Sequence, residues 1–430
     1  MSIEVRAISR AEAVPYFKVL PFANGLPMWE PYPAAWHGGP EAWPPPRPPA
    51  SPERLESWAA EVTADHFHPV GAVDNGKIVG GSAMISFEVT VPGPRRAAAG
   101  GVTATGVTAT HRRRGLLRRM MQHMFDHALQ RGEWLAMLSA SEGSIYGRFG
   151  FSPATLRTRW EMERSQAQLM PAGQGPGSLE LTDAATARAA WPAVHETVRR
   201  SRVGELSPQP DQWDRLSDEP QGTAGPLRYL VHRDERGVID GVANFQLPWL
   251  PAVEDTGTLV VEALQATATE AYRAMWQLLL DFDLTRKVVA VSRPGDEPLR
   301  WMLQNPRAMR VTRQSDNLWM RLLDVPRALE SRTYDVPGTV VFDIESDPMC
   351  PGNEGTWRLD GGPDGAACTR VTARPDVVLE IQALGSLYLG GASANLLATA
   401  GLIRECRPAA VGLLSRMFRT DPEPFNSFAF

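Results

Sequence analysis

Apolar residues recur at helical spacing over Leu116, Leu117, Met120, Met121, Met124, Phe125, Ala128 and Leu129, and Gly132 follows as a stop. This pattern predicts an amphipathic helix over 116–131. Just before it, Gly101–Val107 is rich in β-branched residues and reads as a strand. Two strand-like runs, 69–73 and 78–85, flank Asp74-Asn75-Gly76-Lys77, and Asn75-Gly76 is a hairpin signal. A further turn, Pro92-Gly93-Pro94, leads toward the 101–107 strand. Trp134–Ser139 is apolar and follows the helix as another strand. Upstream, Ser51-Pro52 opens a helix, with Glu53 and Glu56 near its positive end. A hairpin followed by strand, helix and strand predicts a mixed sheet in α/β layers.

The pattern repeats more weakly downstream. Residues 229–233 and 237–245 read as a hairpin, 258–264 as a strand, and Thr269 to Asp283 as a helix. A third unit begins near Pro326. Its strands are 338–344, 355–359, 368–372 and 377–381, followed by helical residues over about 382–405. Residues 27–52 are dense in Pro and Trp, which excludes a continuous helix or a central strand there. Three units suit 430 residues at roughly 150 per domain.

Composition narrows the function. Net charge is −5, which argues against a nucleic-acid partner despite the run Arg112-Arg113-Arg114. Three cysteines without ligand spacing read as reduced thiols, and no metal site is expected. Met1–Arg6 holds no apolar signal core, and no stretch approaches the roughly 20 apolar residues of a spanning helix. A cytoplasmic protein without a membrane partner is therefore expected.

The chemistry starts at the turn between strand and helix. Thr108–Leu117 places Arg112, Arg113 and Gly115 at the start of the helix, with Leu116 and Leu117 as its first residues. Backbone N–H groups and the positive dipole end then point at one place, which suits a pyrophosphate. The corresponding helix of the second unit lacks such a turn, as in a diverged duplicate that has lost it.

Val107–Gly115, Ser139-Ala140-Ser141-Glu142 and Ile145–Phe151 together resemble the GNAT acyl-CoA N-acyltransferases, and more specifically their Eis-like branch. The resemblance covers the whole chain. It implies an α/β (α+β) fold of tandem GNAT-like domains with mixed central sheets, plus a C-terminal sterol-carrier-protein-like domain. The boundaries it suggests are 1–164, 165–325 and 326–430. One departure is Leu117, where the general GNAT pattern has Gly or Ala.

The resemblance also implies acetyl-CoA, or another acyl-CoA, as co-substrate and an amine as acceptor. Arg112, Arg113, Gly115, Leu116 and Leu117 would cradle the pyrophosphate. The backbone of Thr105 to Val107 would pair with the pantetheine arm, and Ser141 would position coenzyme or substrate. Tyr146 would be the general acid. The α-carboxylate of the last residue, Phe430, would be the general base. Trp29 and Trp36 are candidates to line an acceptor pocket, and Glu30 to attract a cationic amine. Broad amine acceptance, including aminoglycosides and lysine side chains, and a hexamer are likewise implied. The alternatives are a biosynthetic acyltransferase dedicated to one acceptor and a non-catalytic CoA- or lipid-binding protein.

Overall fold

The computed structural model describes residues 3–23, 52–172, 175–209, 213, 216, 226–247, 257–428 and 430. Trp29, Glu30, Trp36 and nearly all of the Pro/Trp-rich segment lie outside the described residues. In chain order the first strands are β1 (Glu4–Ala7), β2 (Phe67–Asp74), β3 (Lys77–Val91), β4 (Arg95–Val107), β5 (Leu135–Leu138) and β6 (Ser152–Pro153). With them come helices α1 (Ala13–Ala23), α2 (Pro52–Val62), α3 (Leu116–Gln130) and the short α4 (Gly143–Tyr146). Next are β7 (Leu156–Glu163), β8 (Ser178–Thr182), α5 (Ala184–Arg199), β9 (Leu227–Arg233), β10 (Ile239–Gln246) and β11 (Thr258–Ala266). Helix α6 (Thr269–Asp281), β12 (Lys287–Arg293), β13 (Arg310–Asp316) and β14 (Trp319–Leu322) complete the middle of the chain.

Two seven-stranded sheets result, in the orders β1-β2-β3-β4-β5-β14-β6 and β13-β7-β12-β11-β10-β9-β8. They do not divide where the sequence suggests. A cut after 164 assigns β7 to the first unit, yet β7 pairs with β12 and β13. A cut at 325 assigns β14 to the second unit, yet β14 lies between β5 and β6. Across those cuts each sheet holds one strand of the other unit, so backbone hydrogen bonding joins the first two units.

The expected amphipathic stripe is what packs α3. Leu116, Met120, Met121, Met124, Phe125 and Ala128 are buried against Val70, Ala72, Val79 and Met84 of the sheet. Full burial of each large side chain contributes about 1.5–3 kcal/mol. The opposite face of the same sheet is covered differently. Phe87, Val89, Leu135 and Met137 join one apolar core with Phe342, Leu384, Leu387 and Tyr388 of the third unit.

The third unit is a five-stranded sheet, β17-β16-β15-β18-β19. Its strands are β15 (Gly338–Ile344), β16 (Gly355–Gly362), β17 (Gly365–Arg370), β18 (Val377–Leu379) and β19 (Ile403–Glu405). The helical stretch expected over 382–405 is two short helices, Ile381–Tyr388 and Ala394–Thr399, and the end of that stretch is β19. Gly390-Gly391 interrupts it, Ser393 caps the second helix by accepting from the Leu396 N–H, and Gly401 turns the chain back to pair with β18. Among the described residues no helix is long and apolar enough to cross a membrane.

Candidate active site

Strands β4 and β5 pair in parallel only over Ala99–Gly101 with Leu135–Met137. Beyond Gly101, β4 keeps β3 on one side and, among the described residues, has no strand on the other. A strand edge with one unpaired row of N–H and C=O groups can receive an extended ligand. The same stretch is bulged. Gly81 pairs with Gly106 and Ala83 with Thr103, so Ser82 stands opposite both Ala104 and Thr105. Ala104 takes a left-handed φ of +50° to allow this. The Ser82 and Thr105 hydroxyls are 2.7 Å apart, and the buried Tyr16 hydroxyl donates to the Ser82 carbonyl at 2.8 Å.

Between the parted strands and the start of α3 lies a cavity of about 730 Å³. Thr105, Val107, Arg112, Arg113, Gly115, Leu116, Leu117, Ser141 and Tyr146 all line it. Gly106, within the Thr105–Val107 backbone, lines it as well, and so do His111, Arg118, Glu142, Ile145, Arg148 and Phe149, which sequence reasoning did not select. Most of these stand inside the three motif segments and could have been read from them. His111 is held by Thr108, Thr110 and, across the hairpin, by Asp74 at 3.3 Å.

The turn at the start of α3 alternates backbone hands. Arg113 has φ +62° and Gly115, the N-cap, has φ +74°. The first turn of α3 contains no acidic residue, so the unsatisfied N–H groups of the helix start face the cavity in a positive field. Arg112, Arg113, Arg118 and Arg148 surround this volume against one carboxylate, that of Glu142. Arg112 Nε also donates to the Val107 carbonyl at 3.2 Å, tying the turn to the end of β4.

Tyr146 ends α4 and is 8% exposed. Burial pushes its phenol above the ordinary value and the charge of Glu142 adds to this, while a hydrogen bond with the Thr105 hydroxyl works the other way. The loop after it is anchored from outside the first unit. Arg321 of β14 donates to the Phe149 carbonyl at 2.6 Å, and Gln382 of the third unit donates to that of Gly147 at 3.0 Å. No local signal marked either residue for this role.

Phe430 approaches the same region from the other face of the sheet. Its ring lies 4.9 Å from that of Phe87 and packs beside Gly101, at the point where β4 and β5 part. Gly100, one residue earlier, faces Met84 and Glu133 on the α3 side. The cavity-lining residues and the terminal residue thus sit on opposite faces of one split sheet. Among the described residues, no group of three or more His, Cys, Asp or Glu is gathered as a metal would require.

Acetyltransferase (GNAT) domain families match residues 40–154 and 204–323, and the sterol carrier protein domain family matches residues 325–427. An uncharacterised N-acetyltransferase of Streptomyces avermitilis is 38% identical over 367 residues, 83% of this chain and 87% of that protein. The N-acetyltransferase Eis of Mycobacterium tuberculosis is 31% identical over 391 residues, 88% of this chain and 93% of that protein. The crystal structure of Eis1 from Mycobacterium abscessus superposes with a TM-score of 0.82 at 30% identity, covering 99% of this chain and all of that one.

Proposed function

The chain belongs to the Eis family of GNAT N-acetyltransferases, and on that premise we propose that it passes the acetyl group of acetyl-CoA directly to a primary amine, with Tyr146 and the Phe430 carboxylate handling the protons. One observation carries the reading: the Arg112–Leu117 turn and Tyr146 lie on one cavity beside the open edge of β4. The cavity falls within the range of about 300–1,000 Å³ usual for small-molecule sites.

Each residue then has a task. Arg112, Arg113 and the N–H groups of Gly115, Leu116 and Leu117 hold the pyrophosphate. The open backbone of Thr105–Val107 holds the pantetheine amides, and an N–H there polarises the thioester carbonyl. Ser141 positions the donor arm. The Tyr146 hydroxyl gives its proton to the departing thiolate. A phenol near about 10 can protonate a thiolate whose acid is near about 8.5, provided it is held in place. The Phe430 α-carboxylate takes the proton of the attacking amine. Its ordinary value of about 3.5 makes it a weak base, and desolvation strengthens it.

The acceptors this reading admits are small-molecule amines, aminoglycosides among them, and lysine side chains. The same premise carries a homo-oligomer, a hexamer in the manner of the family, working in the cytoplasm. A lipid-carrier role receives less support, because Phe342, Leu384, Leu387, Tyr388, Met417 and Phe418 fill the interior of the third unit.

The test is thiol release from acetyl-CoA with a panel of primary amines. Amine-dependent turnover is expected, and it should fall by roughly 10²-fold or more in Tyr146→Phe. Adding residues after Phe430 should lower the rate while coenzyme still binds. Coenzyme binding without turnover on any amine would remove the reading.

A further inference from the structure

The second GNAT-like unit contains the same parting of strands, and it is filled. β11 and β12 pair in parallel over Thr258–Val261 with Lys287–Ala290 and then separate. The cavity at this parting, lined from the α5 side by Trp191, holds about 30 Å³, against about 730 Å³ for the cavity of the first unit. One filler is Arg293 at the end of β12. Its Nη1 donates to the Leu264 carbonyl on β11 at 2.7 Å, and Glu297 pairs with the guanidinium at 2.8 Å. One carbonyl of the edge that lies open on β4 is thereby bonded on β11.

The other filler is the end of the chain itself. Phe425, Ser427 and Phe428 line what space remains, together with Leu264, Gln265 and Arg293. The Phe428 ring meets His195 at 4.7 Å and Trp213 at 5.1 Å, both nearly perpendicular. The Ser427 N–H donates to Glu205 Oε2 at 3.0 Å, its hydroxyl donates to Glu205 Oε1, and Gln265 Nε2 donates to the Ser427 oxygen at 3.1 Å. The Asn426 carbonyl accepts from Asn317 Nδ2 at 2.7 Å. Glu205 is 1% exposed, and its backbone is laid against β3 of the first unit, its carbonyl accepting from the Thr90 N–H at 2.9 Å.

We propose that the second GNAT-like unit is an intramolecular receptor for the C-terminal tail, with Glu205 the positioning residue that sets where Phe430 ends. Phe428 docks in the cleft remnant of the second unit, and Phe430, two residues later, docks on Phe87 and Gly101 of the first. Two residues of chain span at most about 7 Å, so fixing Phe428 limits where Phe430 can reach. Anchoring the tail twice removes most of the freedom that a terminal carboxylate would lose on meeting its substrate. The catalytic part of this inference rests on the Phe430 reading; the docking part does not.

The experiment combines carboxypeptidase A release of Phe430 from the full-length protein, followed by intact mass, with steady-state acetyl transfer. In Glu205→Ala, release is expected to quicken and kcat to fall, each by roughly tenfold or more, the weight of lost charge-assisted hydrogen bonds. KM for acetyl-CoA should stay within about twofold of wild type, since the donor cavity is untouched. Glu205→Gln, which keeps an acceptor for Ser427, should recover part of both. Ser427→Ala changes only the tail and should move both in the same direction by a smaller factor, so it decides the matter if Glu205→Ala folds poorly. Unchanged release in Glu205→Ala or Ser427→Ala overturns the receptor proposal. Faster release with unchanged kcat leaves docking standing and overturns Phe430 as base.

Discussion

Arg321 and Asp347 form an ion pair at 2.6 Å, each side chain 1% exposed, and through it the three units meet behind Tyr146. Arg321 lies on the strand lent to the first sheet, Asp347 belongs to the third unit, and the other arm of the guanidinium holds the Phe149 carbonyl. Asp347 also accepts from Asn353 Nδ2 and from the Cys350 N–H. Asp347→Ala should therefore cost about 3–5 kcal/mol in urea unfolding, because it leaves a buried guanidinium without its partner. Activity should fall further than stability alone explains.

Gln382→Ala isolates the loop from that stability effect. It frees the Gly147 carbonyl, next to Tyr146, and should cost only about 1 kcal/mol. The expected signature is a lower kcat with an unchanged KM for acetyl-CoA, since Gln382 does not line the cavity of about 730 Å³. An equal change in both constants would mean that the loop holds donor rather than acid.

Tyr146 sets a pH expectation whose sign follows from its surroundings. A general acid acts only while protonated, and burial raises this phenol above the ordinary value of about 10. Loss of its proton should therefore lower kcat only above about pH 10, leaving the profile flat from neutral pH to there on this account. Thr105→Val removes the one influence pulling the value down and should move the alkaline limb higher still.

Gly101 is required by close approach. A Cβ there would meet Phe430 Cε2 and Phe87 Cε2, both at 2.6 Å. Phe87 is buried at 4% exposure while Phe430 is half-buried, so the terminal ring is the one that yields. Gly101→Ala should cost about 1–3 kcal/mol by overpacking and reduce kcat, with donor affinity retained. Isothermal titration with CoA beside steady-state rates separates the two effects.

The turn before α3 allows side chain and backbone to be tested with opposite signs. Gly115 has φ +74° and open space around it, so Gly115→Ala should cost about 1 kcal/mol from conformation alone and raise the KM for acetyl-CoA. Arg113 adopts φ +62°, where a side chain costs about 1–2 kcal/mol. Arg113→Gly relieves that cost, so the thermal midpoint should hold or rise, while the KM for acetyl-CoA rises roughly tenfold with the lost guanidinium.

The amino-acid sequence by itself determined the features that depend on neighbours along the chain. The α3 stripe, the Asn75-Gly76 hairpin, the Arg/Gly turn and the Tyr146 loop are all written in spacings of a few residues, because helix periodicity, turn chemistry and capping are local. The helical reading of 382–405 failed where it ignored Gly390 and Gly401. Only the tertiary structure decided the exchange of β7 and β14, because strand partners are chosen by packing between distant segments and nothing in either strand names its sheet. Packing likewise decided that Arg321 and Gln382 brace Tyr146. It also set the last residues across both GNAT-like units, with Phe428 beside His195 and Phe430 beside Phe87. A tail ending in Phe-Ala-Phe announces an apolar destination, but the address lies in Glu205, Gln265 and Asn317, more than a hundred residues away and brought there only by folding.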